Sequence, residues 1–308
     1  MKKKGWLAGG VAAAAGLIGA GTYFYSVAIK RAPKDFLEGS ADLQDDFFEH
    51  QDVTDDWLRD YDAVEVNVQS TDGFRLHGFY INGDITLGKT VIIAHGYAGQ
   101  AQDMKDWAQM YVKKGYNVLL PDARGHGKSE GNYIGFGYHE REDYVSWVNW
   151  IGRRRPNDSI ILHGVSMGAA TVLMTSGERT LSEQVKAVIS DCSFSSLSPL
   201  LAYQLQRMYK LPRYPLVPLT SAITKMRAGY SFKDASPVDF VQRSTLPTLF
   251  IHGGDDSFVP TSMVYELYKR AAGEKGLYVV EGAEHGNSYH TDPQEYEDQV
   301  FSWISQHS

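Results

Sequence analysis

From residue 90 onward, short apolar runs at 90–94, 117–120, 159–162, 185–189, 248–251 and 277–280 are separated by stretches of helix length. That rhythm limits the folds open to the chain. A strand buried on both faces reads as a continuous apolar run, and it is buried on both faces when helices cover a parallel sheet from two sides. The spacing predicts helices over 104–114, 140–152, 169–177, 262–272 and 293–306. Ahead of this region, Ala63-Val64-Glu65-Val66-Asn67-Val68 alternates with period two. A second extended run at 74–81 follows the turn Thr71-Asp72-Gly73, and the pair reads as an antiparallel hairpin. The expectation is one α/β domain over 62–308 with no internal repeat. Nearly sixty residues separate the runs at 185–189 and 248–251, with prolines at 212, 215 and 218. That is too long for a plain crossover, and the segment at about 194–232 is read as a helical cap over a pocket.

Hydrophobic residues make up 43% of the chain and charged residues 22%, so a packed core is expected. The net charge of −7 argues against nucleic acid as a partner, because tracking phosphates requires concentrated Lys and Arg. The run Arg153-Arg154-Arg155 reads as the solvated end of a helix. With one cysteine, Cys192, no intramolecular disulfide and no Cys-based zinc site can form. Cys192 follows an apolar run and reads as a small core residue.

The N-terminus has its own pattern. Lys2, Lys3 and Lys4 precede 25 uncharged residues, 5–29, and Lys30 and Arg31 close them. About 20 apolar residues cross a bilayer as a helix, so 1–31 is expected to be a transmembrane signal anchor. The alternative is a secretory signal cleaved near Gly19-Ala20-Gly21. Excess positive charge before the apolar run places the N-terminus in the cytoplasm and the following domain outside the cell. The acidic, aromatic stretch 32–61, with Phe36, Phe47, Phe48 and Trp57, reads as a helical connector packing on the domain.

Four motifs carry chemistry. Gly164-Val165-Ser166-Met167-Gly168 is a G-x-S-x-G placed directly after a predicted strand and before an Ala-rich helix. In that context Ser166 stands above the sheet at a helix N-terminus, as a nucleophile must. His252-Gly253-Gly254-Asp255-Asp256 follows another strand, where a carboxylate can hold an imidazole in its productive tautomer. From the residues alone Asp255 and Asp256 compete for this role. Glu281-Gly282-Ala283-Glu284-His285-Gly286 follows the last strand and offers His285 as general base, with His290 as rival. His95-Gly96-Tyr97-Ala98-Gly99 follows the strand at 90–94. The oxyanion of a tetrahedral intermediate needs two backbone N–H donors, and these are expected from Tyr97 and from Met167. His95 is read as structural. Asp122-Ala123-Arg124-Gly125-His126-Gly127-Lys128-Ser129 lacks phosphate-loop spacing and reads as a structural turn in which Asp122 and Arg124 brace loops.

With HGYAG, PDARGHGKSEG, GVSMG, IHGGDDSFVP and EGAEHG in this order over about residues 62–306, the chain resembles the α/β-hydrolase superfamily, and within it the bacterial YqkD-like and Bem46-like serine hydrolases. The resemblance implies an eight-stranded, mostly parallel sheet flanked by helices, no metal or organic cofactor, and hydrolysis through an acyl-enzyme. It also favours Asp256 over Asp255, because D-x-x-V-P at 256–260 is similar to the family's acid loop. The cap residues Leu200, Leu201, Tyr203, Leu205 and Met208 suggest an acyl or aromatic group as substrate. The leading expectation is a serine hydrolase of small or lipid-like carboxylic esters. A peptidase of aminopeptidase type, a thioesterase and a non-catalytic surface protein stand as alternatives. An aminopeptidase should carry a carboxylate pair for the substrate amine, and Asp234 and Asp239 read instead as helix caps near Pro237.

Overall fold

The structure is a computed structural model that describes residues 2–34 and 56–308, with side chains described from residue 15 and from residue 57 in the two segments. Helix α1 (Lys2–Ala28) leads the chain, and the short helix α2 (Asp56–Asp60) follows. The strands are β1 (Val64–Gln69), β2 (Arg75–Ile81), β3 (Lys89–Ala94), β4 (Asn117–Pro121), β5 (Ser159–Val165), β6 (Val185–Asp191), β7 (Thr248–Gly253) and β8 (Lys275–Val280). They form one eight-stranded sheet in the order β1-β2-β4-β3-β5-β6-β7-β8. The hairpin β1–β2 is antiparallel and β2 joins β4 antiparallel, whereas every pairing from β4 to β8 is parallel. The fold is the α/β-hydrolase fold anticipated from the motifs.

Alternation and burial explain the order. β1 at the sheet edge exposes alternate residues, while β4 and β7 are buried along their whole length. Helices α3 (Lys105–Lys113), α4 (Glu140–Arg154), α5 (Met167–Ser176), α9 (Ser262–Arg270) and α11 (Pro293–His307) cover the two faces, with α10 (Ser288–Thr291) leading into the last. One face buries Ile93, Met110, Tyr111, Leu120, Ile161 and Tyr296, and the other buries Ile92, Trp147, Val148, Leu162, Leu173 and Phe250. Between β6 and β7, helices α6 (Leu197–Tyr209) and α7 (Arg213–Ala228) stand over the carboxyl ends of the strands, followed by α8 (Pro237–Val241). They build a third apolar cluster around Phe136, Met167, Phe194, Leu200, Leu205 and Phe232.

The N-terminal segment differs from expectation. Among the described residues no helix is long and apolar enough to cross a membrane, so the expected transmembrane helix is not found. At the end of the segment α1 packs along α7, and Tyr25 and Ile29 are buried in the cap cluster. Those residues serve the protein's own core. Of the expected connector over 32–61, residues 35–55 lie outside the described residues. Its last part is α2, which buries Trp57 and Leu58 against the sheet.

Candidate active site

The loops at the carboxyl ends of β3, β5, β7 and β8 meet beneath the cap. Ser166 occupies the tight turn from β5 into α5 with φ 56° and ψ −117°. That conformation costs a non-glycine residue of order 1–3 kcal/mol and must be enforced by its surroundings. The enforcement comes from two glycines. A Cβ on Gly168 would strike the carbonyl of Ala94, and one on Gly164 would strike the backbone of Gly168. The Ser166 amide also donates to the Asp191 carbonyl at 2.8 Å, tying the turn to β6. These contacts let the strand turn directly into the helix and raise the hydroxyl into the pocket.

Ser166, Asp256 and His285 are brought together, each nearly inaccessible to solvent. Ser166 Oγ lies 2.8 Å from His285 Nε2, and His285 Nδ1 lies 2.7 Å from Asp256 Oδ2. An ionised carboxylate only accepts, so the imidazole proton sits on Nδ1 and Nε2 accepts from the serine hydroxyl. Asp256 Oδ1 accepts the amides of Phe258 at 3.0 Å and Val259 at 2.7 Å. Burial works against the charge on Asp256. The fields of His285 and His252 and their hydrogen bonds outweigh that cost and hold the carboxyl well below its usual range. Asp255, the competing carboxylate, is exposed. His290, the competing histidine, lies near Asp106, 3.7 Å from its carboxylate, with Trp107 against its ring.

Both residues named from sequence as oxyanion donors lie close to Ser166 in the chain or in space. Met167 is the first residue of α5, where an N–H has no acceptor within its own helix. The loop bearing Tyr97 passes over the serine: a Cβ on Gly96 would be 3.5 Å from Ser166 Cβ and 4.0 Å from its Oγ. His95 stays structural, accepting the Ala123 amide on Nε2 at 2.9 Å. Asp122 and Arg124 hold loops. Asp122 binds His77 and the amides of Ala101 and Lys128, and Arg124 pairs with Asp143 and Asp72.

Sequence reasoning missed three participants. His252 is fully buried, with Nε2 3.0 Å from Asp256 Oδ2 and 2.9 Å from the Val259 carbonyl. It is the second residue of the IHGGDD motif, four positions before the acid, and that spacing was the available signal. Asp191, at the end of β6, accepts Ser288 Oγ and Tyr296 Oη, both at 3.0 Å, and so secures the loop after His285. The third participant is α1. A cavity of about 120 Å³ opens beside Ser166, and its walls include Phe24, Val27 and Ala28 of α1 together with Leu200, Leu205 and Phe258. Of the cap residues expected to face a substrate, Leu200, Leu201, Leu205 and Met208 line it, whereas Tyr203 turns its hydroxyl to the Ser257 carbonyl. Among the described residues, no charged side chain lines this cavity.

Known proteins are similar to this chain. Residues 87–226 match the family described as serine aminopeptidase, S33. The chain is 31% identical over 261 residues to the uncharacterized protein YqkD of Bacillus subtilis, covering 84% of this chain and 83% of that one. A monoacylglycerol lipase of Mycolicibacterium smegmatis is 27% identical over 251 residues, 70% of this chain and 88% of the lipase. An esterase of Pyrococcus furiosus superposes with a TM-score of 0.68 at 26% identity, covering 83% of this chain and 95% of the esterase. The fold and these relatives define a hydrolase of the α/β type. Within that class, the chain belongs to the α/β-hydrolase family that includes YqkD.

Proposed function

We propose that the protein is a serine hydrolase that cleaves carboxylic esters with an apolar acyl group through an acyl-enzyme. The observation that carries this reading is the hydrogen-bonded series Ser166–His285–Asp256 at the edge of a cavity whose described walls carry no charged side chain. Ser166 Oγ attacks the ester carbonyl while its proton passes to His285 Nε2. Asp256 stabilises the resulting imidazolium through Nδ1. The amides of Tyr97 and Met167 receive the oxyanion, and His285 returns the proton to the departing alcohol. Water then attacks the acyl-serine by the same route. The esterase and monoacylglycerol lipase relatives support an ester as the scissile group. A peptidase of the aminopeptidase type needs a carboxylate to hold the substrate's amine, and the described cavity walls offer none; Asp234 instead caps the turn at Ser231 and pairs with Lys225.

The full-length protein is assayed with p-nitrophenyl esters of increasing chain length and with aminoacyl p-nitroanilides, using Ser166→Ala as control. Ester turnover that rises with chain length and is lost in the variant is expected. Turnover of the anilides alone would replace the esterase reading with a peptidase. We also propose attachment at the cell membrane with the catalytic domain outside, supported by Lys2, Lys3 and Lys4 at the head of an uncharged run whose first part, 5–19, precedes the residues packed on the cap. Protease added to intact cells should then digest the domain, and protection until lysis would contradict this placement.

A further inference from the structure

The triad does not require an N-terminal helix, yet α1 ends inside the site. Phe24, Val27 and Ala28 wall the same cavity as Ser166, and Phe24 meets Tyr209 of α6 edge-on with ring centroids 5.3 Å apart. Upstream, α1 fits closely against α7 at Gly21, where a Cβ would lie 2.8 Å from Leu219 Cγ and 2.9 Å from Ile223 Cδ1. The end of the helix is fixed as firmly. The last carbonyls of a helix lack intrahelical donors. Here the Ala28 carbonyl accepts the Tyr97 hydroxyl at 2.8 Å, and the carbonyls of Val27 and Lys30 accept Lys34 Nζ, each at 2.8 Å. Arg31 donates to the carbonyls of Gly127 at 2.7 Å and Ser129 at 2.8 Å. The Ile134 amide donates to the Ile29 carbonyl at 2.8 Å. A segment serving only to tether the domain has no need of this register. Tyr97, whose hydroxyl holds Ala28, also belongs to the loop beside Ser166, so the wall and the reacting serine are set relative to one another.

We propose that residues 20–29 are a specificity-determining wall of the acyl pocket, fixing the length and bulk of the chain that can lie beside Ser166. The proposal rests on the acyl-transfer reading of that serine and names the substrate class more narrowly: esters of extended alkyl chains that lie against α1. Each methylene buried along such a wall changes selectivity about fourfold.

The test uses the full-length protein and the rate at which Ser166 is labelled by alkyl fluorophosphonates from ethyl to dodecyl. Gly21→Glu places both bulk and charge in the α1–α7 seam and is expected to lower the dodecyl-to-ethyl rate ratio by about tenfold or more, the loss of roughly two methylenes of contact. Ala28→Phe fills the cavity from the α1 side and is expected to move the optimum to a shorter chain. A folded Gly21→Glu protein with the wild-type ratio would overturn the proposal. If Gly21→Glu does not fold, an unchanged chain-length optimum in Ala28→Phe overturns it alone. Failure of the wild type to label at Ser166 would refute the nucleophile and leave the wall to be judged by equilibrium binding of a fluorescent long-chain fatty acid. In that case several-fold weaker binding in the same variants supports the wall, and equal binding refutes it.

Discussion

Replacing Asp256 by Asn tests the hydrogen-bond logic of the site with almost no change in shape. Each partner of Asp256 is a donor: the amides of Phe258 and Val259 on Oδ1, and the rings of His285 and His252 on Oδ2. An asparagine has one acceptor oxygen and one donor nitrogen, so one side must meet donors with a donor. The backbone amides cannot change, so they keep the oxygen and the new amide NH₂ turns to the histidines. His285 answers by moving its proton from Nδ1 to Nε2, where it points at Ser166 Oγ. The base is then occupied by its own proton. The loss expected from such a wrong tautomer is about 10⁴ in kcat, or roughly 5 kcal/mol of transition-state stabilisation. The assay is steady-state ester hydrolysis with KM followed separately. KM should change little, because Asp256 lies behind His285, away from the bound acyl group. Asp255→Asn, at an exposed position, should stay within about twofold of the wild type. A kcat for Asp256→Asn within tenfold of the wild type would refute the assignment of the orienting carboxylate.

Gly168→Ala should give little folded protein or none that is active, because the added methyl meets the Ala94 carbonyl; circular dichroism and ester turnover of the purified variant check this. Burial lowers the pKa of His163 to about 3, between Tyr111 and Tyr296. Unfolded, the same ring titrates near 6.5, so the unfolded state binds more protons below that pH and stability falls as the pH drops from about 6.5 toward 3. For this one group the loss is about 2 kcal/mol between pH 6.5 and 5. Urea titrations across that range should show a shallower slope for His163→Phe, and an unchanged slope would remove His163 as a source. Leu205→Ala should weaken turnover of long-chain esters more than short ones, by about tenfold in kcat/KM, because it removes part of the cap wall of the cavity.

Much of this was legible from the residues, for reasons that can be named. The parallel strands were readable because burial on both faces leaves no alternation, as in β4 and β7. Ser166 was readable because its two glycines are demanded by backbone contacts that admit no other residue, so the motif and the geometry are one constraint. Asp256 was harder. Its neighbour Asp255 has the same chemistry, and only the turn after β7 decides which carboxylate faces inward. The packing at the end of the N-terminal segment was hidden for a comparable reason. A helix of Ala, Gly, Leu and Val has the same composition whether its partner is lipid or the side of another helix. What distinguishes them is the fit of Gly21 against α7 and the hydrogen bonds at Ala28, which are long-range contacts without a local signature. Asp191 escaped notice because a buried polar side chain acquires its meaning from partners about a hundred positions away, and His252 because its contacts with Asp256 and Val259 depend on how the turn after β7 folds back.

The central claim is that Ser166 carries the acyl group, and trapping that intermediate tests it most directly. The protein is mixed with a slowly deacylating p-nitrophenyl ester, quenched in acid, digested and mapped by mass spectrometry. The account predicts one acyl group on the peptide containing Ser166, formed with a burst of p-nitrophenol and absent from Ser166→Ala. An acyl group on another residue, or ester turnover that persists in Ser166→Ala, would contradict it.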